Sequence, residues 1–324
     1  MKKFPLLIIV TCILFSCAGL DFLSKKPEVS LKRVDIDSIT LKDLTFLFEI
    51  ELHNPYPLGF TLEDVGFAVA VEGSRLFSTR TKKGVVVKAG GIETTPVKVQ
   101  IPYDGLLKVV KNYRERDRLN CSIDVDCVIP LPKALHSIKK SITFKRTVER
   151  SIPALKPSIR VLSAGLKAPS LEEIKKAAAE AGKKSLDSEA LFRSFTDLIS
   201  GKEAPMAKLY RDLDVPISLT LDVEVRNDTK ASFSCRDLSY DFSIAGRGVI
   251  SGSSREVSNE GRRSVIRIVN TFSSRALGES AYALFKSREG SYRLKGASSV
   301  KFPDEIKSSP LRLDFDETGR FALK

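Results

Sequence analysis

The sequence is short of the residues on which most enzymes and metal proteins depend. It has two histidines, His53 and His136, in 324 residues. A Ser-His-Asp or Cys-His arrangement must recruit one of them, and a histidine-rich metal site is excluded. His53 ends an alternating apolar stretch and His136 lies in a polar, turn-rich one, so both read as surface residues. No CxxC pair, HExxH helix or Walker glycine loop occurs, which removes the common zinc, metalloprotease and phosphate-cradling signatures. Aspartates and glutamates are plentiful, but no spacing singles out a pair for acid–base work. The chain is expected to be no enzyme and to need no cofactor and no metal.

Cysteine is also sparse, with five in all. Cys121 and Cys127 lie six residues apart on one alternating stretch, about 20 Å if extended, beyond the reach of a disulfide. They share a face with Ile123 and Val125, and with Cys235 they read as small core residues.

What is present begins with an export leader. Lys2 and Lys3 precede an apolar run from Phe4 to Ser16, the n-region and h-region of a signal peptide. The run is short of the roughly 20 residues that a membrane span needs. Leu14-Phe15-Ser16-Cys17 resembles a bacterial lipobox, in which the cysteine is lipidated and becomes the new N-terminus. Residues 1–16 are then a lipoprotein signal peptide, Cys17 the lipidation site, and residues 17–26 a tether. A plain cleaved signal or an uncleaved anchor are the alternatives. Ala18, rather than Asp, after the cysteine favours the outer over the inner membrane, facing the periplasm. Net charge is +13, falling to +11 when Lys2 and Lys3 leave with the leader. An exported basic chain suits anionic lipid headgroups or an anionic wall polymer. Nucleic acid is not expected, since no binding motif accompanies the charge.

The rest is a repeat. Phe46–Asn54 and Leu219–Asn227 are the same alternating phrase ending in Asn, 173 positions apart. Leu62–Gly73 matches Cys235–Gly246, and Cys127–Pro130 matches Val300–Pro303, at the same offset. Lys26–Val29 matches Lys156–Ile159 at 130, so the second copy carries a 43-residue insert after its first strand. The expected domains are residues 27–153 and 157–324, with the insert at about 170–213.

The insert reads as helical. Ser170 and Glu173 have capping-box spacing, Leu171–Ala181 are good helix formers, and Gly182 suits a left-handed stop. A second helix is expected from Ser188 to Ser200, with Leu191, Phe192, Phe195, Leu198 and Ile199 on one face and Gly201 ending it. A short third helix is expected from Ala204 to Leu213. Elsewhere short strands alternate with turn signals. Alternation is read through Val69–Leu76, Val85–Ile101 and Ser141–Ile152. One helix breaks each copy: it starts near Asp104 and carries Leu106, Leu107, Val110 and Tyr113, or it carries Leu277, Ala281, Leu284 and Phe285. The fold class is mainly β: two tandem antiparallel β-sandwiches, each with one helix, plus the helical insert.

A strand, then Asn54-Pro55-Tyr56-Pro57, then a loop into Leu62-x-Asp-x-x-Phe-x-Val-x-Val-x-Gly73 resembles the late-embryogenesis-abundant type 2, or WHy (water stress and hypersensitive response), domain. The resemblance covers Pro27 to about Pro153. The second copy keeps Asn227 and Gly246, with Asp228 in place of the proline. The resemblance implies a β-sandwich without a catalytic site, in a stress-linked envelope lipoprotein. Asn54, Pro55, Tyr56, Gly73, Asn227 and Gly246 are then loop-shaping residues, since the family offers no chemistry for them. The expected role is structural or binding, tied to desiccation or stress tolerance. The alternative is a periplasmic carrier of lipid or another apolar ligand with the insert as its lid.

Overall fold

The computed structural model describes residues 27–57, 59–62, 64–81, 85–130, 140–183, 185–200, 202, 213–244, 246–277, 288–304 and 306–323. The leader, Cys17, His136, Gly201, most of the expected third helix, and Ala281, Leu284 and Phe285 lie outside them.

The strands in chain order are β1 (Glu28–Thr40), β2 (Asp43–His53), β3 (Phe60–Leu62), β4 (Asp64–Val71), β5 (Ser74–Thr81), β6 (Val85–Val87), β7 (Ile92–Pro102), β8 (Arg118–Pro130) and β9 (Ser141–Pro153). They continue as β10 (Pro157–Lys167), β11 (Pro216–Asn227), β12 (Ser234–Cys235), β13 (Leu238–Ile244), β14 (Arg247–Ser254), β15 (Val257–Glu260), β16 (Arg263–Ser273), β17 (Glu289–Lys301) and β18 (Leu311–Ala322). The helices are α1 (Tyr103–Val109), α2 (Leu171–Glu180), α3 (Ser188–Ile199) and α4 (Ser274–Leu277). The architecture is mainly β.

The chain divides into two compact units. The first holds the described residues up to Asp37, then Thr45–Asn112 and Arg118–Ile152; the second holds Ser38–Leu44, Tyr113–Asp117 and Pro153 onward. In the first unit the strand orders are β5-β4-β8-β9 and β1-β2-β7; in the second they are β14-β13-β17-β18 and β10-β11-β16-β15. Apart from β12 and β15, whose counterparts β3 and β6 pair with each other, each strand of the second unit thus stands where the strand nine places earlier stands in the first. In the second unit, Ile39 and Thr40 run parallel to Leu313 and Asp314 of β18.

Period-two alternation builds the cores. In the first unit β2 turns Phe46, Phe48, Ile50 and Leu52 inward, and β8 turns Leu119, Cys121, Ile123, Val125, Cys127 and Ile129 inward. In the second, Ile217, Leu219, Leu221, Val223 and Val225 of β11 are fully buried. Each such side chain contributes about 1.5–3 kcal/mol when taken out of water.

The β4–β5 hairpin shows how closely the repeat is kept. Its register shifts at Val69/Ala70, and the β13–β14 register shifts at Phe242/Ser243, 173 positions on. Val71 faces Ser74 and Ile244 faces Arg247, again 173 apart. Glu72 (φ 50°) and Gly73 (φ 76°) are both left-handed, the two-residue turn that matches right-handed strand twist. Gly246 has φ 78°. Beyond the hairpin the offset changes. Val125 lies opposite Phe67, and Gly296 opposite Tyr240. Phe67 and Tyr240 are 173 apart, but Val125 and Gly296 are 171 apart. The sequence match of Cys127–Pro130 with Val300–Pro303 is therefore out of structural register by two. A two-residue slip keeps every side chain on its own face, so the alternation does not reveal it.

Other expectations shift for local reasons. Val69–Leu76 is two strands around the Glu72-Gly73 turn. Val85–Ile101 breaks at Lys88–Gly91, where Gly90 is left-handed and the Gly91 N–H donates to Lys88 O at 3.1 Å. Helix α1 starts at Tyr103 with Pro102 at its cap, so Asp104 sits in the first turn rather than capping it. The Ser170–Glu173 capping box forms around α2, and Gly182 has φ 72°. Asp187 caps α3. Leu191, Phe195 and Leu198 are its buried residues, while Phe192 is exposed.

Candidate functional site

Asn54 ends β2 and is fully buried. Its Oδ1 accepts from the Tyr56 N–H at 2.9 Å, closing a turn around Pro55, and its Nδ2 donates to Lys88 O at 2.8 Å. Its own N–H donates to Gly91 O, and the Gly90 N–H to Tyr56 O, both at 2.9 Å. Burying an amide without partners is costly, so these bonds fix two loops to each other. Tyr56 is buried beneath them.

Asn227 holds the same place in the second unit with other partners. Its Oδ1 accepts from the Lys156 N–H at 2.8 Å, and its Nδ2 donates to Ala231 O at 2.7 Å and Ala154 O at 3.4 Å. The Asp228 N–H donates to Lys156 O. Thr229, also buried, donates to Ala154 O. Both asparagines, with Gly73 and Gly246 at the hairpin turns, engage backbone and shape loops.

The outer face of β10-β11-β16 carries a charge lattice. Glu224 is 3% exposed and accepts from Arg160 Nε and Arg263 Nε, each at 2.6 Å. Burial opposes its charge, but these two bonds prevail and hold its carboxyl below the usual range. Asp222 pairs with Arg267 at 3.0 Å, and Asp228 with Arg226 at 2.9 Å and Lys156 at 3.4 Å. Burial likewise disfavours the Asp228 charge, and bonds from Arg226 and Ser158 outweigh it. Its five cations share these three carboxylates, with Glu256 4.0 Å from Arg267 and Glu260 3.9 Å from Arg263 at its margin.

A concavity lies on the second unit, over β14-β13-β17-β18 and the Thr40–Asp43 turn, with a volume of about 840 Å³. Ser251, Asp241, Lys295 and Asp316 form one row across four strands. Asp316 accepts from two nitrogens of Arg293 at 2.6 Å, which hold its carboxyl below the usual range. Half of the sixteen lining residues are charged, of both signs. Such a lining suits a polar ligand better than an acyl chain. Sequence reasoning missed this groove, because an outward Asp or Lys on an alternating strand reads the same whether it meets bulk water or a concavity.

The three described cysteines are free and buried. Burial pushes the Cys121 and Cys127 thiols up to about 11 and raises Cys235 too, which makes them unreactive. Among the described residues no group of three His, Cys, Asp or Glu could hold a metal ion.

No protein-family model matches the sequence. A curated relative, "Desiccation protectant protein Lea14 homolog" of Glycine max, is 23% identical over 107 residues, covering 33% of this chain and 70% of the relative. Among solved structures, an Arabidopsis thaliana protein covers 40% of this chain at 18% identity and TM-score 0.34, with 82% of its own length matched. A candidate late embryogenesis abundant protein covers 46% at 15% identity and TM-score 0.33, with 86% of its length matched. The curated match, over a third of the chain, supports a late-embryogenesis-abundant type 2 (WHy)-type domain in part of it.

Proposed function

We propose that the protein is a non-enzymatic envelope lipoprotein, anchored through lipid on Cys17, which displays two WHy-like sandwiches at residues 27–153 and 157–324 and supports desiccation or stress tolerance. The observation that carries this reading is the leader: two lysines, an apolar run too short to span, and a cysteine at its end. The role comes from the name of the Glycine max relative, a desiccation protectant. The mature charge of +11 suits anionic headgroups or a wall polymer at the periplasmic face of the outer membrane. A lipid carrier would need an apolar cavity, and the groove of the second unit is charged.

The test is fractionation with mass spectrometry of the mature N-terminus. Wild type is expected in the membrane fraction, starting at a lipidated Cys17, with Cys17→Ala unprocessed or released. Restored survival of drying in a deletion strain by wild type, but not by Cys17→Ala, is expected alongside. A mature N-terminus elsewhere would overturn the anchor, and unchanged survival of the deletion strain would overturn the role.

A further inference from the structure

Strand β9 is the terminal strand of β5-β4-β8-β9 in the first unit. Its counterpart β18 has its outer edge occupied by Ile39 and Thr40. Among the described residues no strand pairs with the outer edge of β9. Thr143, Lys145, Arg146, Thr147, Glu149 and Arg150 are all exposed. A long open edge is a template for another strand, and charges along it decide which strands are refused.

Read antiparallel against itself, β9 selects one register. Centred on Thr147, the whole of Ser141–Pro153 overlaps its copy, and Lys145 falls opposite Glu149 twice. Neither is ion-paired within the chain among the described residues. Centring on Arg146 sets that arginine against itself. Centring on Val148 sets Arg146 against Arg150 twice. Like charges directly opposite destabilise a pair and opposite charges stabilise it, so the arginines reject the neighbouring registers while Lys145 and Glu149 accept the central one.

We propose that β9 pairs antiparallel with β9 of a second copy of this chain, joining two four-stranded sheets across a two-fold axis. The test is light scattering on the full chain in detergent, with charge reversals at exposed positions that leave the fold alone. Wild type is expected to dimerise. Lys145→Glu alone sets Glu against Glu149, and Glu149→Lys alone sets Lys against Lys145; each is expected to weaken the dimer about ten-fold or more. The double reversal is expected to dimerise again, and an equimolar mixture of the two single variants to form heterodimers. A monomeric wild type, or a dimer indifferent to either single reversal, would overturn the proposal.

Discussion

Asn227 Oδ1 accepts the backbone N–H of Lys156 at 2.8 Å, tying the end of β11 to the chain just before β10 across 71 residues. Asn54, its counterpart, spends the same oxygen on Tyr56 two residues ahead. The Asn54 oxygen closes a local prolyl turn, while the Asn227 oxygen reaches a distant segment. Asn227→Ala leaves the Lys156 N–H and the Ala231 carbonyl without their side-chain partner. An orphaned buried group costs about 1–3 kcal/mol, so the urea midpoint of the second unit is expected to fall with its slope unchanged. An unchanged midpoint would show that water replaces the amide without cost.

Both asparagines were legible from sequence as strand-ending loop residues, because Asn bonds nearby backbone and Pro cannot continue a ladder. Their burial and their partners at Lys88 and Lys156 were not, because those contacts are set by loops far away in the chain. The strands were legible wherever one face is buried, as in Phe46–Leu52. The turn at Glu72-Gly73 hid inside an alternating run, since a two-residue hairpin disturbs the pattern little. Helical spacing puts Phe192 with Phe195, yet Leu191, Phe195 and Leu198 are buried, Ile199 is half-buried and Phe192 is exposed. The groove joins four strands and the Thr40–Asp43 turn, a juxtaposition that side-chain alternation does not encode.

Glu224 makes stability depend on acid. Its folded carboxyl is held below the ordinary value, so its contribution is fully present above the unfolded value of about 4.3 and is lost as pH falls through the lower folded value. Glu224→Gln is expected to cost about 1–3 kcal/mol near pH 7, from weakened charge-assisted bonds to Arg160 and Arg263. Urea midpoints of the variant and wild type, followed from pH 7 to acid, are expected to differ at neutrality and converge below the folded value. A gap that persists at the lowest pH would assign the effect to shape rather than charge.

Gly296 lies opposite Tyr240 in the β13–β17 pair. A methyl group there would sit 1.9 Å from the Ser239 carbonyl oxygen and 2.9 Å from the Phe315 ring. The obstacle is backbone, so Gly296→Ala forces the strands apart at a cost of about 3 kcal/mol or more. Gly105, in α1, has open space where its Cβ would go. Gly105→Ala is expected to stabilise by about 0.5–1 kcal/mol through helix propensity. Chemical denaturation of the two variants is expected to shift the midpoint in opposite directions, and equal shifts would refute the contrast.

Phe195 decides what the helical insert is for. It is 2% exposed and lies with Leu191 and Leu198 on the buried face of α3, while Phe192, three residues before it, is 36% exposed. A lid helix keeps its apolar face for a ligand, whereas a core helix spends that face on its own domain. Burial of all three residues points to the second use. Phe195→Ala is then expected to cost about 3–5 kcal/mol, the range for emptying a core site of an aromatic ring. Phe192→Ala should stay within about 0.5 kcal/mol, as surface substitutions do. Both are read from denaturant midpoints, with membrane association measured on the same samples and expected to be unchanged. A Phe195→Ala protein that unfolds like its parent but loses association with lipid or a partner would reverse the assignment and make α3 a docking helix.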